Sequence, residues 1–277
     1  MRFAVSVITP FNYPHSAAFD EVALTLQYGL QALGHDALIS TRLDNRRRRH
    51  LVLGSHLLPK FPAPVPEDAL FYNLEQISPE SPWFQAGLLD VLRTRSCWDY
   101  SRSNITALEA AGIPVAALLP LGYAPPLTRI APAQEDIDVL FYGSLNERRA
   151  VVLRELTRRG LHVKHLFGVY GAARDAWIAR SRIVLNMHYF DAKVFEAVRV
   201  THLLANRRFV VSERGSDPLE EADYATGLVF SDYAALADTC ERYLRQPEER
   251  RRIAETGFQL MRQRPIEALL APALASL

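Results

Sequence analysis

The chain has 277 residues, 49% hydrophobic and 23% charged, a balance that fits one large or two modest globular domains and excludes wholesale disorder. Its formal net charge of +1 supplies no overall field for nucleic acid or an anionic membrane. Cys97 and Cys240 stand far apart in neither disulfide-framework nor metal spacing, no apolar run approaches the roughly 18 residues of a membrane helix, and the run after Met1 lacks a signal-peptide pattern, so the expected place is the cytoplasm.

Short apolar runs alternate with amphipathic stretches, as in a parallel sheet built from βα units. Residues 3–8 predict a buried strand, broken between Pro10 and Pro14. Ser16 is placed to cap a helix with an apolar face of Phe19, Val22, Ala23, Leu26, Leu30 and Leu33, which Gly34 ends. Strands are expected at 36–40, 50–53 and 68–73, the last running into Leu74, Glu75 and Gln76. A helix at 85–94, a strand at 97–100, a helix at 101–111 and a strand at 115–119 complete this series.

Pro120, Gly122, Pro125, Pro126 and Pro132 then mark a linker. A second series follows, with strands expected at 138–142, 162–167, 183–186, 209–212 and 228–230. Helices are expected at 147–159, 173–180 and 196–206, then from Ser231 to 244 and from Pro247 to 264. The predicted domains are 1–121, a linker at 122–134, and 135–277, with the last helix crossing back to the first. The expected fold is α/β, two Rossmann-like lobes facing across a cleft. Ligands of open α/β sheets sit beyond the carboxyl ends of the strands, which singles out loops 9–15, 74–78, 143–149, 168–174 and 187–195.

The loop at 143–149 reads Gly-Ser-Leu-Asn-Glu-Arg-Arg and runs from a buried strand straight into a helix. Gly143 allows close backbone approach, Ser144 and Asn146 add polar groups, and the first-turn amides suit a phosphate. Arg148 and Arg149 are cationic donors fit for a diphosphate; the competing explanation is an ordinary βα turn with solvated arginines. The loop is neither a dinucleotide-binding glycine fingerprint nor a Walker A sequence, which demotes oxidoreductase and P-loop kinase readings. The second motif, His188-Tyr-Phe-Asp-Ala-Lys-Val-Phe-Glu196, leads through Arg199 to the strand Phe209-Val-Val-Ser-Glu213. A carboxylate at Glu196, opening a helix beside the carboxyl edge, can take two ribose hydroxyls, with Lys193 near the phosphates.

Strand, loop, Phe195-Glu196, helix and Val210-Val-Ser-Glu213 resemble the donor-binding domain of GT-B glycosyltransferases, especially the group 1 and CgeB-like enzymes. Those enzymes often carry two glutamates with seven residues between them; here the first is His188, with seven residues before Glu196. The resemblance covers about residues 136–262 and implies that Glu196 holds the nucleoside ribose while His188 faces the transferred sugar or its phosphates. The expected donor set is Gly143, Ser144, Asn146, Arg148, Lys193, Glu196 and Arg199. The expected catalytic set is Glu75, as a base for the acceptor hydroxyl, with His15 as the alternative base, and His188; the competing readings are a surface or helix-start carboxylate for Glu75 and a solvated loop histidine for His15.

Asp99 and Tyr100 are read as lining the acceptor side, with helix capping as the other reading of Asp99, and Trp83 and Trp98 as core or lobe-interface residues, with stacking on a sugar ring as the other reading. Asp136-Ile-Asp138 matches a D-x-D metal pattern but precedes its strand, at the wrong edge, and is read as coil. Arg46–Arg49 reads as a solvated loop, with peripheral contact to an anionic acceptor or membrane as the other reading. The apolar segment 268–277 is expected to pack on the protein. The expected activity is metal-independent glycosyl transfer from a nucleotide diphosphate sugar to a glycan, protein or small-molecule hydroxyl, with no cofactor and no nucleic-acid partner. A GT-B-type nucleotide-sugar epimerase and a non-catalytic nucleotide-sugar-binding module stay open as alternatives.

Overall fold

Buried parallel strands read as continuous apolar runs because both faces are covered by helices, and two such sets form two units here. The structure, a computed structural model, describes residues 1–61, 63–85 and 87–275. One unit comprises residues 1–126 with the segment from Arg264 on, and the other residues 127–263.

The first unit contains β1 (Arg2–Val7), α1 (Asp20–Ala32), β2 (Asp36–Ser40), β3 (Arg49–Leu53) and β4 (Leu70–Asn73). It continues through α2 (Pro82–Gln85), α3 (Leu88–Leu92), β5 (Ser96–Asp99), α4 (Arg102–Ala110) and β6 (Ala117–Leu118). All its strand pairs are parallel, in the order β2-β1-β3-β4-β5-β6, so the chain reverses direction across the sheet between β1 and β3. Phe71, Cys97, Leu108 and Ile113 pack on one face.

Three local expectations change here. Ser16 does not cap α1; it lies in a 3₁₀ turn, Pro14–Phe19, and its hydroxyl donates to the Ile8 carbonyl at 2.7 Å. The helix expected at 85–94 is split into α2 and α3 because Gly87 takes φ +87°, a left-handed conformation that ends one helix and starts another. Ala86, inside that expected helix, lies outside the described residues. Half of the arginine run is structural: Arg48 forks onto Asp36 at 2.8 Å for both contacts and Arg49 donates to the Asp68 carbonyl at 2.9 Å, while Arg46 and Arg47 are exposed as a solvated loop requires.

The second unit contains β7 (Ile137–Tyr142), α5 (Glu147–Arg158), β8 (Val163–Leu166), α6 (Gly171–Ala179), β9 (Ser181–Asn186) and α7 (Ala197–Ala205). After these come β10 (Val210–Glu213), α8 (Pro218–Ala222), β11 (Val229–Ser231), α9 (Leu236–Leu244) and α10 (Pro247–Arg262). The order β11-β10-β9-β7-β8 is again all parallel, with its reversal between β7 and β9. Val139, Phe141, Ile183, Leu185 and Val211 build the core with residues of α5, α9 and α10.

Asp138 lies inside β7, as the strand expected at 138–142 has it and against the coil read for the D-x-D motif, and it pairs with Arg182 as Asp136 pairs with Arg180. Both carboxylates therefore tie the amino-terminal edge of the sheet together. Ser231 ends β11 rather than capping α9, its hydroxyl lying 2.9 Å from that of Thr239. α8, which the sequence pattern did not reveal, is a five-residue turn capped by Asp217. A final helix, α11 (Ile266–Ala275), belongs to the first unit, where Leu270 and Ile266 press on Gly29 of α1. Ser276 and Leu277, the end of the apolar segment, lie outside the described residues. Among the described residues no helix is long and apolar enough to cross a membrane.

Candidate functional site

In the second unit β10, β9 and β7 are neighbours, so the loops leaving their carboxyl ends come side by side at the sheet's reversal point, where such sheets bind ligands. The β7 turn is shaped by Gly143 at φ +132°, a conformation reserved for glycine. A Cβ there would also lie 2.9 Å from Nη2 of Arg199, so the bare backbone is what lets that guanidinium sit against the turn. Asn146 follows as the N-cap of α5: its Oδ1 accepts from the Arg149 amide at 3.0 Å, and its Nδ2 donates to the Tyr189 carbonyl at 3.0 Å. The cap thus joins the β7 turn to the β9 loop.

Glu196 occupies the N-cap position of α7 and bridges two guanidinium groups, Arg149 Nη2 at 2.7 Å and Arg199. Arg199 also donates to Asn186 Oδ1 at 2.7 Å. Arg149 has only 3% of its side chain exposed. It donates to the carbonyls of Ser144 at 2.8 Å, of His188 at 3.3 Å and of Met187, stitching the two loops through one buried fork.

Glu213, at the end of β10, is 1% exposed and is gripped by both terminal nitrogens of Arg148, one at 2.7 Å. Its carboxylate also accepts from the His188 amide at 3.1 Å, and Lys193 Nζ stands 3.8 Å away. Burial alone would push this carboxyl up, but the bonds from Arg148 and the His188 amide outweigh it and hold it below the usual range. Arg148 stacks over Tyr233 with its guanidinium carbon 4.0 Å from the ring centroid. Lys193 takes φ +46°, a strained conformation for a non-glycine residue.

His188 is buried, and burial lowers its pKa against the pull of Glu196 and Glu213. Its Nε2 lies 3.2 Å from the Glu213 carbonyl, which assigns the proton to that nitrogen. Nδ1 is then an acceptor, buried and without a hydrogen-bond partner among the described residues.

The structure therefore brings Gly143, Ser144, Asn146, Arg148, His188, Lys193, Glu196 and Arg199 into one connected cluster. Sequence reasoning left Arg149 and Glu213 out of the assigned set, although both stand in the two motifs. What hid them is pairing across distances of 47 and 65 residues, which no local spacing reveals. Chemically, the cluster offers four cations and a helix start to an anion, and one partly exposed carboxylate to hydroxyls.

The remaining catalytic expectations fall on the first unit's carboxyl edge. Glu75, just past β4, keeps 25% of its side chain exposed, yet burial pushes its carboxyl up to about 7. Its backbone is clamped: the Glu75 carbonyl accepts from Asn73 Nδ2 and Asn104 Nδ2, each at 2.9 Å. Those two amides converge on the buried carboxylate of Asp99, at 2.7 and 3.1 Å. Asp99 also takes the Ser101 amide at 2.8 Å, so it serves α4 and the Glu75 loop.

His56, which the sequence did not single out because its segment carries no periodic pattern, places Nδ1 3.5 Å from Glu75. Burial pushes its pKa down to about 3, so the imidazole is neutral. Trp83 packs on this ring with centroids 4.5 Å apart, and Trp98 is a core residue of β5. His15 lies in the 3₁₀ turn after β1, edge-on to Tyr13 at 5.3 Å; β3 separates its strand from that of Glu75. Among the described residues no three His, Cys, Asp or Glu side chains group in a way that could hold a metal ion.

Known proteins match this architecture. The uncharacterized protein R358 of Acanthamoeba polyphaga mimivirus is 31% identical over 112 residues, 39% of this chain and 39% of that protein's length. AviGT4, a glycosyltransferase involved in avilamycin A biosynthesis, aligns over 100% of this chain and 96% of its own at 18% identity and a TM-score of 0.56. Anabaena Alr3699/HepE, solved in complex with UDP and glucose, aligns over 100% of both chains at 12% identity and a TM-score of 0.66. These structures share the GT-B fold of two parallel α/β units. The model of the family described as glycosyl transferase-like matches residues 127–266, half of the chain and all of the second unit, so the chain belongs to the glycosyl transferase-like family.

Proposed function

We propose that this protein transfers a glycosyl group from a nucleotide diphosphate sugar to an acceptor hydroxyl without a metal ion. The observation that carries the reading is the cluster at the β7/β9 reversal, where Arg148, Arg149, Lys193 and Arg199 surround a helix start beside Glu196. Glu196 takes the ribose hydroxyls, while Ser144, Asn146, Arg148, Lys193, Arg199 and loop amides hold the diphosphate. His188 offers its partnerless Nδ1 to a sugar hydroxyl. As the bond from the sugar to the β-phosphate breaks, these cations stabilise the charge growing on the leaving group, the role a metal plays elsewhere. Glu75, whose carboxyl titrates near neutrality, removes the proton of the acceptor hydroxyl; His15 is the second choice. The crystallised relative carrying UDP and glucose supports a nucleotide-sugar donor. The His188–Glu196 spacing supports a place near the CgeB-like branch.

The test is a thermal-shift panel of nucleotide-sugars followed by turnover with and without acceptors. The expected result is a shift of several degrees with one donor class, abolished by Glu196→Ala, and product only with an acceptor. No shift with any donor overturns the reading, and release of an altered nucleotide-sugar without acceptor indicates an epimerase.

A further inference from the structure

Arg148, Lys193 and Arg199 have an evident use toward a diphosphate and Arg149 ties the two loops together, but Glu213 has no such use, and its position is costly. A fully buried carboxylate stands among the donors that an incoming diphosphate needs: the Arg148 fork, the His188 amide and Lys193. Holding Arg148 in place does not require it. The Arg148 guanidinium lies on the Tyr233 ring, the Tyr233 hydroxyl donates to the Arg148 carbonyl at 2.8 Å, and Nη1 reaches the His188 carbonyl at 3.3 Å. What Glu213 adds is one negative charge beside the diphosphate site.

Such a charge acts differently on substrate and product. In a nucleotide-sugar the β-phosphate is esterified, and the diphosphate carries two negative charges. When the glycosyl bond breaks, the electron pair stays on the β-phosphate oxygen, and the terminal phosphate, with a second pKa near 6, gains about one further charge at pH 8. Repulsion from Glu213 therefore grows at the moment the donor becomes product.

We infer that Glu213 is a specificity-determining residue of the donor site, a fixed anion that lowers affinity for the product nucleoside diphosphate relative to the nucleotide-sugar and so promotes product release. The inference rests on the donor-site reading above and extends it to the order of affinities within that site. Asp191 in the β9 loop adds an exposed negative charge near Arg148, so solvent screens it where it cannot screen Glu213.

The experiment is calorimetric titration of wild type, Glu213→Gln and Glu213→Ser with matched pairs, UDP and UDP-glucose first and then the GDP and ADP pairs, at pH 8 and two salt concentrations. Thermal unfolding of the empty proteins serves as the check on folding, and the serine variant removes the charge without placing an amide against Arg148. Both variants are expected to bind the nucleoside diphosphate more tightly, with the ratio of nucleotide-sugar Kd to nucleoside diphosphate Kd rising on the order of tenfold, as one unit charge about 6 Å away produces at an intermediate dielectric. The gain should shrink at high salt. If both ligands weaken together, or the ratio stays at its wild-type value in folded variants, Glu213 only supports Arg148 and the inference is wrong. If wild type binds no member of any pair, the donor-site reading itself fails, a separate and recognisable outcome.

Discussion

Arg149→Ala is expected to destabilise the second unit by about 3–5 kcal/mol, the usual cost of removing one partner of a buried ion pair, and to abolish measurable donor binding. The guanidinium holds the Ser144 carbonyl at 2.8 Å, the His188 carbonyl at 3.3 Å, the Met187 carbonyl and the Glu196 carboxylate at 2.7 Å. Alanine leaves all four acceptors without it in a place that water scarcely reaches, and only the Asn146 bond to the Tyr189 carbonyl and the Arg148 bond to the His188 carbonyl stay to join the β7 turn to the β9 loop among the described residues. Arg149→Lys keeps the charge but not the planar fork; it is expected to fold, with affinity for the donor at least tenfold weaker. Urea unfolding and calorimetry read both effects. An alanine variant with wild-type stability and affinity would mean that the buried fork holds nothing together.

The second large effect concerns Glu75→Gln. With donor and acceptor present, release of nucleoside diphosphate should fall by 10²-fold or more, a general-base contribution, while donor affinity is unchanged. Wild-type activity should rise with pH through about 7, because the base must be ionised and its carboxyl releases its proton there, and the glutamine variant should lose that limb. Stability moves the other way. The folded protein keeps this proton up to about 7, while the unfolded chain releases it near 4.5, so between these values folding takes up a proton and the native state loses stability as pH rises. Glutamine has no proton to release, so above pH 7 the variant should be more stable than wild type by roughly 1–3 kcal/mol, a range discounted for the exposed part of the side chain. A variant that keeps the rate and its acid limb would remove Glu75 from the chemistry and return His15 to consideration.

The sheets were legible because a strand covered on both faces shows an unbroken apolar run, as in Val139-Leu-Phe141 and Ile183-Val-Leu185. The carboxyl-edge rule then carried the reading from strands to the loops at 143–149 and 187–195, where the charged cluster lies. Side-chain pairing was not legible. Glu213 looked like a strand end, and nothing local to it foretold that Arg148, 65 residues earlier, would close on it. His56 was missed for a related reason: its meeting with Glu75 depends on β3 and β4 being neighbours, a property of the sheet rather than of either segment. Hydroxyls at Ser16 and Ser231 were misread as caps because each found a tertiary partner, the Ile8 carbonyl and Thr239, in place of a helix amide.

The division of labour between Glu196 and the arginines gives the most direct test of the whole account. Binding of the nucleotide-sugar and of inorganic pyrophosphate should be compared calorimetrically in wild type and Glu196→Gln. Losing two charge-assisted bonds to the ribose should weaken the nucleotide-sugar by about 100-fold or more, while pyrophosphate, which has no ribose, binds as well as before or better. Parallel weakening of both ligands, or no change in either, would contradict the assignment of Glu196 to the nucleoside and of the Gly143–Arg149 turn to the phosphates.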